Sequence, residues 1–139
     1  MKPGYKIIIA GLLVYAGFQV KAMMEVAPYK EKAAEFAKLL KQHQSFAAQA
    51  LLDTDLQEIV SIETLEALIR EQNLTEVKEL SWEEWRNEEG NYTLRGTFVF
   101  ENAPALPVVF SLSSTDEDKR WISDIKIAEK DLRDNPSGF

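Results

Sequence analysis

At Glu76 the spacing of apolar residues along this chain changes from about 3.6 to 2, and that switch limits what the chain can fold into. Before it, "YKEKAAEFAKLLKQHQSFAAQALL" runs from Tyr29 to Leu52 and is rich in good helix formers. Phe36, Leu39, Leu40, His43, Phe46, Ala47, Ala50 and Leu51 recur at spacings of three and four. This predicts one long helix, opened by Pro28, with a single apolar face and with Lys38, Lys41, Gln42 and Gln49 off it. "DTDLQEIV", from Asp53 to Val60, reads as a short second helix with an acidic N-cap. "SIETLEALIREQN" reads as a third, capped by Ser61, striped by Ile62, Leu65, Leu68 and Ile69, and ending near Asn73.

After the switch, four runs alternate. "EVKELSWEEWRNE" places Leu80 and Trp82 on one side and Ser81, Glu83 and Trp85 on the other. "YTLRGTFVF" presents Tyr92, Leu94, Gly96, Phe98 and Phe100 on one face, and "LPVVFSLS" presents Leu106, Val108, Phe110 and Leu112. "RWISDIKI" presents Trp121, Ile125 and Ile127, and the residues after Glu129 read as an irregular tail, 130–139. The turns "EGN", "ENAPA" and "STDEDK" are short, so four consecutive strands must form an antiparallel meander. Helices first and strands second is the α+β pattern, with N-terminal helices packed on a curved four-stranded sheet. Gly96, mid-strand on the inner face, permits a bend or a close approach, and Pro107 belongs at a strand start or an edge.

The N-terminus decides where such a domain works. Lys2 and Lys6 precede an uncharged apolar run of fourteen residues, Ile7 to Val20. As a helix that run spans roughly 21 Å against a hydrocarbon thickness of about 30 Å, a length that suits the core of a secretory signal. Val20-Lys21-Ala22 fits cleavage after Ala22. Residues 1–22 are therefore read as a signal peptide or a retained single-pass membrane anchor, and both deliver residues 28–129 to the far side of the membrane. The expected location is periplasmic or exported, with the inner membrane as the site of attachment if the segment stays.

Charge and composition narrow the partners. Removing Lys2, Lys6 and Lys21 takes the 16 basic residues to 13 against 23 acidic ones, a net charge of −10. A domain that acidic repels phosphate backbones, which argues against nucleic acid, and touches a membrane only through residues 7–20 if these are uncleaved. The absence of cysteine excludes disulfides, thiolate metal sites and lipoprotein acylation. No cofactor is expected.

A helix at Phe36–Leu52, then "LRGTFVF", "LPVVFSLS" and above all "RWISDIKI" resemble the cystatin-like roll of the nuclear-transport-factor-two-like superfamily. The likeness extends over about Tyr29 to Ile127, and its last strand resembles that of small exported bacterial members, which begins with a tryptophan followed by alternating isoleucines. It implies a sheet curved around the long helix and, in many members, pairing through the sheet face. The superfamily also includes enzymes, transport factors and secretion-system scaffolds. Its isomerase-type members use an inward acid and a hydrogen-bonding tyrosine, which this chain does not match.

The inward set is almost wholly apolar, and no carboxylate or tyrosine pair is placed for acid–base work. The expectation is a non-catalytic domain. His43, the only histidine, lies on the predicted apolar face, where a half-buried hydrogen-bonded residue is the ordinary reading and a ligand contact with Trp121 nearby is the sharper one. One histidine without cysteines does not make a metal site. The acids around "EEWRNEE" read as a solvated strand end, and Asn73-Leu74-Thr75 and Asn91-Tyr92-Thr93 as chance glycosylation sequons. On the outer face the alternation places Trp85, Val99, Val109 and Ile122 among Thr93, Thr97, Ser111 and Lys126. Four apolar residues on neighbouring strands form a patch suited to a protein partner or a second copy. Three functions compete: docking through the sheet, a small-molecule cleft between helix and sheet, and a membrane-anchored subunit of an envelope assembly.

Overall fold

The computed structural model describes residues 23–116, 119–128 and 130–133. The apolar run Ile7–Val20 and the cleavage site after Ala22 lie outside the described residues. Among those described, no helix is long and apolar enough to cross a membrane.

Helix α1 covers residues 23–41, so Pro28 lies within it rather than at its start. Val26, Tyr29, Ala33, Phe36 and Leu40 step along it at three and four residues and are all buried. The single long helix expected through Leu52 breaks after Lys41. There the N–H of His43 donates to the Leu40 carbonyl at 3.0 Å and that of Gln44 to the Leu39 carbonyl at 2.8 Å. His43 itself is left-handed, with φ of 59°. These two bonds close a Schellman cap, a position that glycine usually fills. The chain then restarts as α2 (Ser45–Gln49), whose changed direction leaves Phe46 76% exposed instead of inward.

Helices α3 (Thr54–Ile59) and α4 (Ile62–Glu71) carry the expected caps. The Asp53 carboxylate accepts the Leu56 N–H at 2.8 Å, and the Ser61 hydroxyl accepts that of Thr64 at 3.1 Å. Thr64, Leu65, Leu68 and Ile69 form the buried side of α4. Asn73, left-handed at φ 53°, and a short 3-10 turn at Leu74–Glu76 lead into the sheet.

The sheet has five antiparallel strands in sequence order: β1 (Val77–Glu88), β2 (Asn91–Phe100), β3 (Leu106–Asp116), β4 (Lys119–Ile127) and β5 (Lys130–Asp131). The fifth strand corrects the four expected, since Lys130–Asp131 pair with β4 instead of trailing off, and Leu132 beyond them is buried. The turn before β5 has Ala128 at φ 53°, a conformation with no glycine or asparagine to announce it. The β2 and β3 faces are as the alternation predicts: Tyr92, Leu94, Phe98, Val108, Phe110 and Leu112 are buried beneath the helices. Pro107 is the second residue of β3, and its carbonyl receives the Ala128 N–H at 3.0 Å.

Register shifts interrupt the β1–β2 and β3–β4 pairings, and two of them, both β-bulges, re-aim large side chains. In β1, Trp82 pairs with Gly96 but Glu84 with Arg95, so Glu83 is an extra residue and the side-chain alternation inverts. Trp85 therefore stands opposite Leu94 on the inner face, a correction to its expected outward position. In β4, Ser111 pairs with Asp124 but Leu112 with Ile122, which makes Ser123 the extra residue. Ile122 consequently turns inward and is fully buried, while Trp121, opposite Ser113, turns outward and is half-buried. These tryptophan and isoleucine placements are the reverse of the sequence expectation.

The outer margin of β4 is closed by two pieces of chain. Leu52 forms a parallel bridge to Ile122, with Asp53 N–H donating to the Ile122 carbonyl at 2.8 Å and Ile122 N–H to the Leu51 carbonyl at 3.1 Å. Further along, β5 takes over. At the opposite margin, β1 carries charged side chains and its bulges, both of which discourage edge pairing. Helices and inner sheet face share one hydrophobic core, from Val26 to Leu132.

Candidate functional site

The strongest candidate is the sheet face turned away from the helices. Paired positions carry Thr93, Arg95, Thr97 and Val99 on β2, Pro107, Val109 and Ser111 on β3, and Asp124 and Lys126 on β4. No described element packs over them. Arg95 pairs with Glu84 at 3.1 Å across the β1–β2 ladder, and the Thr97 hydroxyl donates to a carboxylate oxygen of the bulged Glu83. A shallow hollow of about 610 Å³ opens over the middle strands, lined by Glu83, Arg95, Val109, Asp124 and Lys126 among others. Of the four residues expected to form an outer apolar patch, only Val99 and Val109 are here, both half-buried. Trp121, near the start of β4, takes the outer position that the sequence assigns to Ile122.

Asp124 is the most perturbed acid of this face. Its carboxyl is pushed up to about 7, first by burial, then by a hydrogen bond with the Asp131 side chain and by that residue's charge. The Ile125 N–H, which donates to Asp124 Oδ1 at 2.9 Å, and the Arg133 guanidinium pull the other way. The pairing follows from the hairpin: Lys126 faces Asp131, so Asp124, two residues back, is its diagonal neighbour on the same side. Alternation alone does not reveal this, because it needs a turn at Ala128 that no turn residue signals.

At one end of the core, four groups form a continuous stack. Tyr29 and Tyr92 lie 3.9 Å apart at 21°, Trp85 covers Tyr92 at 6.1 Å, and the Arg120 guanidinium sits 5.2 Å over the Tyr29 ring. The Tyr92 hydroxyl accepts from Asn87 Nδ2 at 3.3 Å, and burial, then Tyr29 and Glu25, hold it above the ordinary phenol range. Such a phenol stays neutral at ordinary pH. This is where Trp85 is committed.

A second cleft, of about 660 Å³, opens between the end of α1, the end of α4 and the β2–β3 loop, with Lys41, Glu71, Lys78, Phe100 and Leu106 in its wall. Neither residue expected at a ligand cleft reaches it. His43 is exposed in its helix cap and Trp121 belongs to the other side of the sheet. Among the described residues no group of three or more histidine or acidic side chains is placed to hold a metal ion. Comparison with protein-family models, with curated proteins and with solved structures finds no match to this chain.

Proposed function

We propose that this chain is an exported envelope protein with a non-catalytic α+β domain, a cystatin-like roll of the nuclear-transport-factor-two-like superfamily, that pairs with a second copy through its outer sheet face. The observation that carries the reading is the division of the sheet. One face is buried under four helices, while the other holds Val109 and Pro107 at its centre with no described element across them. Charge supports a second copy as the occupant. The domain's excess of acid would keep two copies apart, but the hollow over this face brings Glu83 and Asp124 together with Arg95 and Lys126. A balanced, mixed surface is self-complementary under a two-fold axis, whereas a strongly basic partner gains little from it.

Light scattering and sedimentation on the chain as isolated from cells test this. A dimer is expected at micromolar concentration, and Val109→Arg, which plants a charge at the centre, is expected to weaken it at least tenfold with unchanged thermal unfolding. A wild-type monomer at 0.5 mM, or a dimer indifferent to Val109→Arg, overturns the reading. Export is tested separately by fractionation and mass spectrometry. A mature chain starting at Met23, or an intact chain in the membrane fraction, agrees with it, and an intact chain free in the cytosol does not.

The α1–α4 cleft favours a second reading, a small-molecule site walled by Lys41, Lys78 and Phe100 in place of His43 and Trp121. Ligand-induced thermal stabilisation that disappears in Lys41→Ala is its signature.

A further inference from the structure

The last described residues lie along the margin of β4 on interactions that oppose one another. Leu132 is fully buried, and its N–H donates to the Ile125 carbonyl at 2.8 Å. Arg133 adds two bonds, from Nη2 to the Ser123 carbonyl at 2.8 Å and from its N–H to Asp131 Oδ1 at 2.9 Å. Against these, the ladder sets Asp131 opposite Lys126 and so diagonal to Asp124 on the same side, where the two carboxyls share a hydrogen bond. Two carboxyl groups hydrogen-bond to each other only while one of them holds a proton. Once both are ionised the same contact is a repulsion at short range.

The surroundings do not remove this repulsion. Arg133, from the segment itself, is the cation acting on Asp124, and Lys126 stands opposite Asp131 in the ladder. Across the outer hollow, β2 offers Arg95 and β1 offers Glu83, while β3 presents uncharged Ser111 opposite Asp124. Leu51–Asp53, which bonds to β4 next to the bulge, brings Asp53, whose carboxylate is occupied at its own helix cap.

We propose that Lys130–Arg133 is a proton-controlled clasp on the edge of the sheet, closed while Asp124 and Asp131 share a proton and loosened when that proton leaves, uncovering the β4 backbone at Ile125 and Ile127. The bulge at Ser123 lets Ile122 and Ile125 both stay in the core while Asp124 between them stays on the outer side. The direction comes from linkage. Asp124 is raised from the usual carboxylate range to about 7, so its contribution to closure is complete below about pH 4 and is lost as pH rises through 7. The clasp tightens in acid. This inference is independent of the docking reading above.

Amide hydrogen exchange of the full chain, followed by NMR from pH 5.5 to 8.5 and corrected for the intrinsic base-catalysed rate, tests it. The protection of the Leu132 amide is expected to fall about tenfold between pH 6 and 8. Asp124→Asn, a neutral side chain of the same shape that still donates to Asp131, is expected to keep that protection flat. Asp131→Asn is expected to lower the Asp124 midpoint, read from the side-chain carboxyl carbon, by a unit or more. A flat wild-type profile, an unchanged pH response in Asp124→Asn, or an Asp124 midpoint below 5 in the wild-type chain overturns the proposal.

Discussion

Phe110→Ala is expected to remove about 3–5 kcal/mol of unfolding free energy, read as a lower urea midpoint with an unchanged slope. Phe110 is central to the core in a literal sense. It is 1% exposed in the middle of β3, opposite Leu94 on β2 and Ile125 on β4. Its ring meets Phe36 of α1 edge-on at 6.3 Å and Trp82 of β1 at 5.9 Å. One truncation therefore empties a space walled by α1 and by all four long strands, and these elements cannot collapse together to refill it. Because a domain of this size is stable by only about 5–15 kcal/mol, the variant sits near the limit of folding. Val109→Ala, one residue along on the half-buried outer face, provides the contrast, with an expected loss of under about 1 kcal/mol.

Gly96→Ala is expected to cost about 3 kcal/mol or more despite adding one methyl group, since overpacking a rigid site is destabilising. A Cβ at Gly96 would lie 2.8 Å from the Ser81 carbonyl oxygen, 3.0 Å from Trp82 Cε3 and 3.3 Å from Leu80 Cδ1. The first of these neighbours is backbone in the adjoining strand and has no rotamer to escape into. Relief requires β1 to move away from β2 next to the Glu83 bulge. The near-ultraviolet circular dichroism of Trp82 is expected to weaken along with the denaturation midpoint. Trp82→Ala introduced beside Gly96→Ala should return only part of the loss, because the clash with the Ser81 carbonyl persists. Full recovery would show that the indole alone limits this position.

Both of these sites are legible in the amino-acid sequence. Gly96 and Phe110 lie on β2 and β3, where the alternation is unbroken and spacing alone names every inward residue. The helix caps at Asp53 and Ser61 are equally plain, because a cap is decided by residues within one turn. Alternation puts Trp85 and Ile122 on the wrong face for a single reason: each follows or borders one extra residue, and a period of two carries no record of an insertion. His43 reads as part of an apolar face because nothing local forbids a helix there. Its left-handed cap ends the helix at a residue other than glycine, so the stop carries no glycine signal. The Asp124–Asp131 contact is hidden for a related reason, since it depends on a hairpin closed by alanine. The four-residue outer patch thus shrinks to two, and the perturbed acid of that face has no signal in the spacing.

Every strand pairing in the sheet joins neighbours along the chain, whereas the Leu52–Ile122 bridge spans about seventy residues. The entropy of closing a loop that long is roughly 3–4 kcal/mol, against far less for a hairpin turn. This sets the order of events in folding. The meander zips up from local contacts, and the Leu51–Asp53 corner seats on β4 afterwards, so a Leu52→Ala chain should reach its barrier at nearly the normal speed and fall apart faster once over it.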